Sequence, residues 1–397
     1  MGLGHGEFSS SARGRGEAAA PEMSGVCALV LAGGHAECER FAGLPLALFD
    51  VLGRSVLMRT LDRLRASGVR QVAALSDAEP LPPPPTAAGC RFSVAPRDCF
   101  WSEAWQQFRQ LSRQAESVFV IRLGAWAEVN YAAMAKQHAR LGGAMLRAYS
   151  RRGEALDVLV VSSDGRSEAA ALLRGELRDE RITAAPHRSS GYVNRLDTPA
   201  SLRLLTLDAL AGEAEIAPMG SEMRPGVWVG RGARIHRGAR VIAPAFIGAG
   251  CTVHRGVVVT RGSALEHHSE VDCGSVIDNS TLLPYSRIGA GLDVEQAVAG
   301  MRVMHSSRLN TTVEIDDPRL VGSTAEPLPR RAMNLLTGIF ALLPEALWEL
   351  VAGAHGQSLP AREAKAKATI GDPALTPLES QADSCGEMAA TRRYGNE

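Results

Sequence analysis

The sequence predicts two structured domains in series: an α/β domain with Rossmann-like alternation, then a parallel β-helix built from hexapeptide repeats. Two observations carry this. Residues 229–288 form ten consecutive hexapeptides led by Val229, Ile235, Val241, Ile247, Val253, Val259, Leu265, Val271, Ile277 and Leu283, every one aliphatic. Upstream, short apolar runs alternate with segments whose apolar residues recur at helical spacing, the pattern of a mostly parallel sheet covered by helices.

Taken in order, the apolar run 26–31 reads as a buried strand, and Ala32-Gly33-Gly34 follows it at once. A strand ending in a glycine turn is how α/β domains open a site for phosphates. Val56, Leu57, Thr60, Leu61 and Leu64 share one helical face, and Gly68 ends that helix. A second buried strand is expected over 69–75, a stiff proline loop over 80–85, and a helix through Trp105, Phe108 and Leu111. A third strand follows over 117–123. Asn130 is the expected cap of a helix facing inward through Tyr131, Met134, Ala135, His138 and Leu141. Shorter strands are expected over 144–149, 157–161 and 169–173, and Thr198-Pro199 opens a last helix with proline at its first position.

In the repeats, a mostly small residue stands four places after each lead: Ala233, Ala239, Ala245, Cys251, Val257, Ser263, Ser269, Ser275 and Thr281, with Arg287 the exception. Each hexapeptide supplies one side of a triangular coil, its lead filling the core and its small residue fitting the corner, so three make a turn. Further short β segments are expected after 289. The expected divisions are a tail over 1–24, the α/β domain over 25–217, the β-helix over 218–325, an apolar helical segment over 330–356 and a second tail over 357–397. Within 333–352 Pro344 splits two short helices, which cap the β-helix, join subunits or lie on a membrane surface.

The chain has 397 residues, with 43 Lys and Arg against 43 Asp and Glu, so no basic excess marks it for nucleic acid. Seven cysteines at irregular spacing suggest neither a disulfide framework nor a zinc site, and reduced thiols in the cytoplasm are the expectation. Residues 1–23 lack the apolar core of a secretory signal, and no stretch reaches the length of a membrane span.

Leu31-Ala32-Gly33-Gly34 opening an α/β domain that precedes hexapeptide repeats resembles the bacterial sugar-1-phosphate nucleotidyltransferases, the NDP-sugar pyrophosphorylases, over about residues 25–322. That resemblance implies a left-handed β-helix and a role in nucleotide-sugar supply for cell-surface polysaccharide. The family joins a sugar 1-phosphate to a nucleoside triphosphate and releases pyrophosphate. Catalysis of this kind rests on positioning and charge neutralisation by a glycine loop, basic residues and Mg²⁺-binding carboxylates. By this resemblance Ala32, Gly33, Gly34 and Gly124 would line the nucleotide, Arg40 and Asp197 are the candidate catalytic residues, and Asp197 is the candidate Mg²⁺ ligand.

The sequence departs from the family at the charged positions. His35-Ala36-Glu37-Cys38 stands where the family has glycine, threonine and arginine. Leu44 replaces the phosphate lysine before Pro45, although Gly53-Arg54 keeps the following turn. Leu123-Gly124-Ala125 ends where a metal aspartate is expected, and Asn194 aligns with a second one unless a gap brings Asp197 there. Asp197 is otherwise a helix-start residue favoured by the dipole. Three readings follow: a nucleotidyltransferase of weak or absent activity; a non-catalytic regulatory or scaffold subunit that binds a nucleotide or sugar phosphate; and a hexapeptide acyltransferase using His267 or His268 as base. His236, His254 and His305 are expected at the surface and His138 in the core. Arg231, Arg234, Arg237, Arg240, Arg255 and Arg261 form a solvated face, or one that meets an anionic ligand or an acidic neighbouring subunit. A homo-oligomer through the β-helix or the 330–356 helices is expected.

Overall fold

In a computed structural model, residues 23–34, 39–79, 89–164, 166–174 and 184–324 are described. The proline loop, residues 35–38, both tails and the apolar segment 333–352 lie outside the described residues. The chain divides into two compact units between Met219 and Gly220.

Seven strands form the sheet of the first unit: β1 (Val26–Ala32), β4 (Gln71–Ser76), β5 (Cys90–Val94), β6 (Ser117–Arg122), β8 (Leu146–Tyr149), β9 (Ala155–Ser162) and β10 (Ala185–Arg188), in the order β10-β8-β9-β6-β1-β4-β5. β1 pairs in parallel with β4 and β6, while β9 runs antiparallel between β6 and β8. The central run is apolar on both faces because helices cover both. On one side Leu29, Leu31, Leu75, Val118 and Val120 pack against Phe100 and Phe108 of α2 (Phe100–Leu111) and Leu172 of α4 (Arg166–Arg174). On the other, Phe119 meets Tyr131 of α3 (Tyr131–Arg140) edge-on, with ring centroids 5.6 Å apart.

The helix starts follow local chemistry. Ser55 caps α1 (Val56–Ala66), accepting from the Met58 amide, and Asn130 caps α3, accepting from Ala133. α5 (Pro199–Ala211) opens on a Thr198–Ser201 capping box with Pro199 in its first turn, and ends at Gly212 in the left-handed region. Two expectations need correction. The segment 169–173 is helical, within α4, because its Ala-Ala-Ala-Leu-Leu run favours helix and is too short for periodicity to decide. Leu141, expected on the inner face of α3, is its exposed C-cap. Strand β5 and the small ladder of β7 (Ala125–Ala127) with β11 (Val193–Arg195) were not anticipated.

Among its described residues, the second unit holds three ladders whose core strands are all parallel. One holds Val227–Val229, Ala245–Ile247, Ser263–Leu265, Thr281–Leu282 and Ala297–Gly300; the second runs from Arg234–Ile235 to Ser286–Ile288; the third runs from Arg240–Val241 to Asp293–Glu295. Each strand pairs with the one a full coil later, as Ile247 with Leu265 and Val253 with Val271. This is the winding that a three-sided β-helix requires. The leads Ile247, Val253, Val259, Leu265, Val271 and Ile277 are each at most 1% exposed and form a continuous core.

The tenth lead is displaced by one residue. Leu265 pairs with Leu282, Val271 with Ile288 and Ile277 with Val294, so coils of eighteen residues give way to coils of seventeen. The lost residue lies at one corner, where Arg261-Gly262 in one coil is matched by Asn279 alone in the next. Ser280, not Thr281, then fills the corner, bonding Val294 and Ala297 of the following coil. With Leu282 as lead, the small corner residue four places on is buried Ser286, and Arg287 faces outward to Asp272. The apparent exception at Arg287 is therefore a register shift, and the winding continues to Gly300.

Ile235, a lead in the first coil, is 38% exposed because no earlier coil covers its strand, whereas Ile247 is fully buried. Replacing Ile247 by Asp should destabilise the fold by about 4 kcal/mol or more, since the carboxylate has no partner in an aliphatic core. Ile235→Asp should cost about 1 kcal/mol or less. Thermal or urea melts of the two variants check the assigned register, and equal losses would contradict it.

Candidate functional site

Crevices at the carboxyl ends of parallel strands are where α/β sheets bind ligands, and here β1, β4 and β6 end side by side. The predicted residues Ala32, Gly33, Gly34 and Gly124 all lie on this edge. Ala32 is buried as the last residue of β1, and its carbonyl accepts from the Ser76 hydroxyl at 3.2 Å.

The glycine turn is filled by protein. A Cβ on Gly33 would lie 2.5 Å from the Phe100 ring and 2.9 Å from the Asp77 carboxyl carbon. Gly34 has φ +65, and a Cβ there would lie 2.6 Å from the Trp101 ring. Both positions need glycine so that the first turn of α2 and the residue after β4 can close over them. Asp77 accepts from the Gly34 amide at 3.1 Å and from Arg40 at 3.1 and 2.9 Å. The side chains of this ion pair are 3% and 1% exposed. Arg40 also donates to the Gly43 carbonyl, within a hairpin of β2 (Arg40–Phe41) and β3 (Leu44–Pro45). A carboxylate of the protein thus holds both the loop amide and the guanidinium that a phosphate would need.

The second half of the edge is also internally neutral. Arg122, at the end of β6, binds Asp157 of β9 at 2.6 Å and Glu39 at 3.4 Å, and Asp157 also binds Arg147 at 3.0 Å. Gly124 lies beside this cluster, 3.3 Å from Arg122 in Cβ terms. The cluster and Asp77 escaped sequence reasoning. The available signal was position: Asp77 directly follows a buried strand, at the end where sites form.

Asp197 comes near Gly124 through the Leu196 amide, which donates to the Gly124 carbonyl at 3.0 Å. It is exposed and precedes the Thr198 cap of α5, where the helix dipole favours it. Ala125 pairs with Arg195 across the β7–β11 ladder, and Asn194 is buried, donating to the Tyr192 hydroxyl at 3.3 Å. Tyr192 donates to Asp208, and burial with that bond pushes its pKa well up. Glu128, buried behind this ladder, accepts from Trp126 and from the Tyr192 amide, both at 3.2 Å. Mg²⁺ takes its protein ligands from carboxylates. Ala125 and Asn194, at the two aligned positions, offer no carboxylate, and Asp197 is a single exposed one, so these positions do not form the paired-carboxylate Mg²⁺ site that the resemblance implies.

His267 and His268 sit at a corner of the coils, packed with Tyr285 one coil on. The His268 ring stacks on Tyr285 at 5.2 Å and 17°, and His267 meets Tyr285 edge-on at 5.0 Å. His268, Tyr285 and Gly250 occupy one column of positive-φ corners, and a Cβ on Gly250 would lie 2.4 Å from His268. Burial and the neighbouring His267 lower the His268 pKa. The structure shows both rings packed on Tyr285. His305, expected at the surface, is buried and bonded to Thr312 at 2.9 Å, because the hairpin Val303–Ser306 and Thr311–Glu314 extends the first ladder around it. His138 is buried as expected, its pKa lowered by burial.

His254, Asp272 and Cys273 bring ligand-type atoms within 4.8 Å of one another. His254 is engaged by Glu270 at 3.0 Å, and four cysteines, Cys27, Cys90, Cys99 and Cys251, carry free thiols. A cavity of about 500 Å³ lies at the other end of the sheet, lined by Gln71, Gly89, Arg91, Gln107 and Gln110 among others. None of the candidate site residues lines it.

Asp77→Asn should lower the melting temperature, since removing one partner of a buried ion pair costs about 3–5 kcal/mol. Inorganic pyrophosphate should then raise the melting temperature of the variant more than that of the wild type, because the Arg40 guanidinium no longer has a carboxylate to neutralise it. A thermal-shift titration measures both. Equal stabilisation of the two proteins would mean that Asp77 does not occupy an anion position.

Compared with known proteins, the chain matches no family model and no curated sequence.

Proposed function

We propose that this chain is a cytoplasmic, nucleotidyltransferase-like protein of nucleotide-sugar metabolism that acts as a non-catalytic regulatory or scaffold subunit. In this reading the first unit has the nucleotidyltransferase fold and the second is a left-handed β-helix. The observation that carries it is the engagement of Gly34 and Arg40 by Asp77. A triphosphate entering this loop would have to displace a buried carboxylate already held by an amide and a guanidinium. It would then face that carboxylate's negative charge in a poorly solvated place.

Three further residues support the reading. Leu44 supplies no charge where a lysine would neutralise phosphate, and it lies in a hairpin that presents Arg40 inward to Asp77. Ala125 and Asn194 supply no carboxylate for a metal. Among the described residues of the edge, the guanidinium groups of Arg40, Arg122 and Arg147 are each matched by a carboxylate. Phosphoryl transfer depends on uncompensated positive charge aimed at the developing negative charge. A nucleotide or sugar phosphate held in this crevice would be bound through shape and hydrogen bonds, with little dependence on Mg²⁺.

Pyrophosphate release from each nucleoside triphosphate with glucose 1-phosphate or mannose 1-phosphate tests this. Turnover should lie at least ~10³-fold below that of a competent pyrophosphorylase, because each missing electrostatic element is worth ~10²–10³. The double variant Leu44→Lys with Ala125→Asp should raise any residual rate only slightly while Asp77 still closes the loop. Robust Mg²⁺-dependent turnover by the unaltered protein would overturn the non-catalytic reading.

A further inference from the structure

We infer that the cavity between α2 and the first residues of β4 and β5 is a binding site for a small anionic polyol, a molecule of sugar size carrying a phosphate or a carboxylate. It lies at the end of the sheet opposite Gly33 and Gly34, and the inference does not depend on the nucleotidyltransferase reading. The cavity holds about 500 Å³, within the range of roughly 300–1,000 Å³ typical of small-molecule sites.

The layer between α2 and the sheet changes character along its length. Toward the carboxyl ends of the strands it is apolar, and Leu31 and Leu75 share one buried cluster with Phe100 and Phe108. Toward the amino ends the helix offers Gln107, Gln110 and Leu111, which lie on one face at helical spacing, with Gln114 in the turn that follows. On the sheet, alternation turns Gln71, Ala73, Arg91 and Ser93 to this side. Ala73 belongs to the cluster shared with α2, and Arg91 and Ser93 bond to glutamines of the helix. Ala73 is the ladder partner of Arg91 and lines the cavity. Its short side chain leaves the space between strand and helix open.

The chemistry of the lining selects the ligand. Gln107 is a buried part of it, 5% exposed. Its amide nitrogen donates to Ser93 Oγ at 2.6 Å and to Glu103 Oε1 at 3.2 Å. A carboxylate only accepts, so this second bond fixes which end of the amide is nitrogen. The amide oxygen is buried and has no donor among the described residues. A hydroxyl seated against Gln107 would supply that donor. At the rim stand Arg91 and Arg113, both exposed and neither in an ion pair among the described residues. Arg91 is oriented by Gln110, whose Oε1 accepts from it at 3.0 Å. The described lining residues include no carboxylate and no aromatic ring. The carboxyl edge is the opposite case, since Arg40, Arg122 and Arg147 are each held there by a carboxylate. Uncompensated guanidinium groups favour an anion. Glutamine amides both donate and accept, as hydroxyl groups do, and Gln71 and Gln114 add two more at the opening. With no ring to stack on a nucleobase, the lining matches a hydroxylated anion better than a nucleotide.

Isothermal titration calorimetry of the full chain with glucose 6-phosphate, gluconate, glucose and inorganic phosphate tests it. Glucose 6-phosphate or gluconate should bind with a Kd of roughly 1 mM or tighter, and about tenfold more tightly than glucose or inorganic phosphate. Either order of the two supports the site and identifies its anion. Arg91→Gln and Arg113→Gln should each weaken that binding about tenfold, the worth of one charge-assisted hydrogen bond. Arg91→Lys, which keeps the charge, should lose less than Arg91→Gln. Ala73→Leu should abolish binding by filling the cavity while both arginines stay in place. Thermal melts report whether each variant is folded, and the two exposed arginine changes keep the test open should Ala73→Leu unfold the chain. Failure of both glucose 6-phosphate and gluconate to bind overturns the inference, as does binding indifferent to both arginine changes or to a folded Ala73→Leu variant. Inorganic phosphate bound as tightly as glucose 6-phosphate would mean a surface anion patch only, and overturns the polyol site.

Discussion

The buried carboxylate of Asp77 is the constraint around which the carboxyl edge of the first unit is arranged. It draws the Gly34 amide and the Arg40 guanidinium onto one point, and Arg40 in turn holds the Gly43 carbonyl. Neither partner of the pair can be removed without leaving the other a buried charge without its counter-ion. The glycines follow from the same constraint: Gly33 leaves room for Asp77 and Phe100, and Gly34 for Trp101. A sequence feature that reads as a cradle for phosphate is here the packing surface between the first strand, the residue after β4 and the start of α2.

The same neutralisation recurs at the end of β6, where Arg122 and Arg147 share Asp157. Such pairs fix local geometry at little net gain in stability, because desolvation offsets much of their attraction. Their effect on chemistry is larger. A guanidinium already bound to a carboxylate in a site of low dielectric has little field left to stabilise the charge that develops on a transferring phosphoryl group. Among the described residues of this edge, Arg40, Arg122 and Arg147 are thus each held by a carboxylate of the protein itself.

Legibility in the sequence divided along physical lines. The coils were legible because each repeat has its own local requirement: an aliphatic lead at Ile247 or Val259 with a small residue four places on. The helix starts at Asn130 and Thr198 were legible for the same reason, since a cap acts within three residues. What escaped depended on partners distant in the chain. Asp77 meets Arg40 thirty-seven residues away, and Arg122 meets Asp157 thirty-five away. The shift at Leu282 escaped because Leu283 is equally aliphatic and equally buried, so composition could not distinguish the two registers. Only Arg287, standing where a small residue belonged, carried the signal.

That single-residue shift bears directly on the outer surface of the coils. Had the eighteen-residue winding continued, Val276 would pair with Val294 and Ile277 with Glu295, which would turn a carboxylate into the aliphatic core. Shortening the corner at Asn279 returns Val294 to the core and sets Asp293 and Glu295 outward, in line with Val276 and Asp278. A one-residue change in register exchanges the two faces of a strand, so the corner is what keeps the last coil both apolar inside and acidic outside. Arg240 of the first coil and Asp293 and Glu295 of the last thus come to lie at opposite ends of one ladder, with Arg261 paired to Glu295. The outward placement of Asp293 and Glu295 is a consequence of how the core is kept closed.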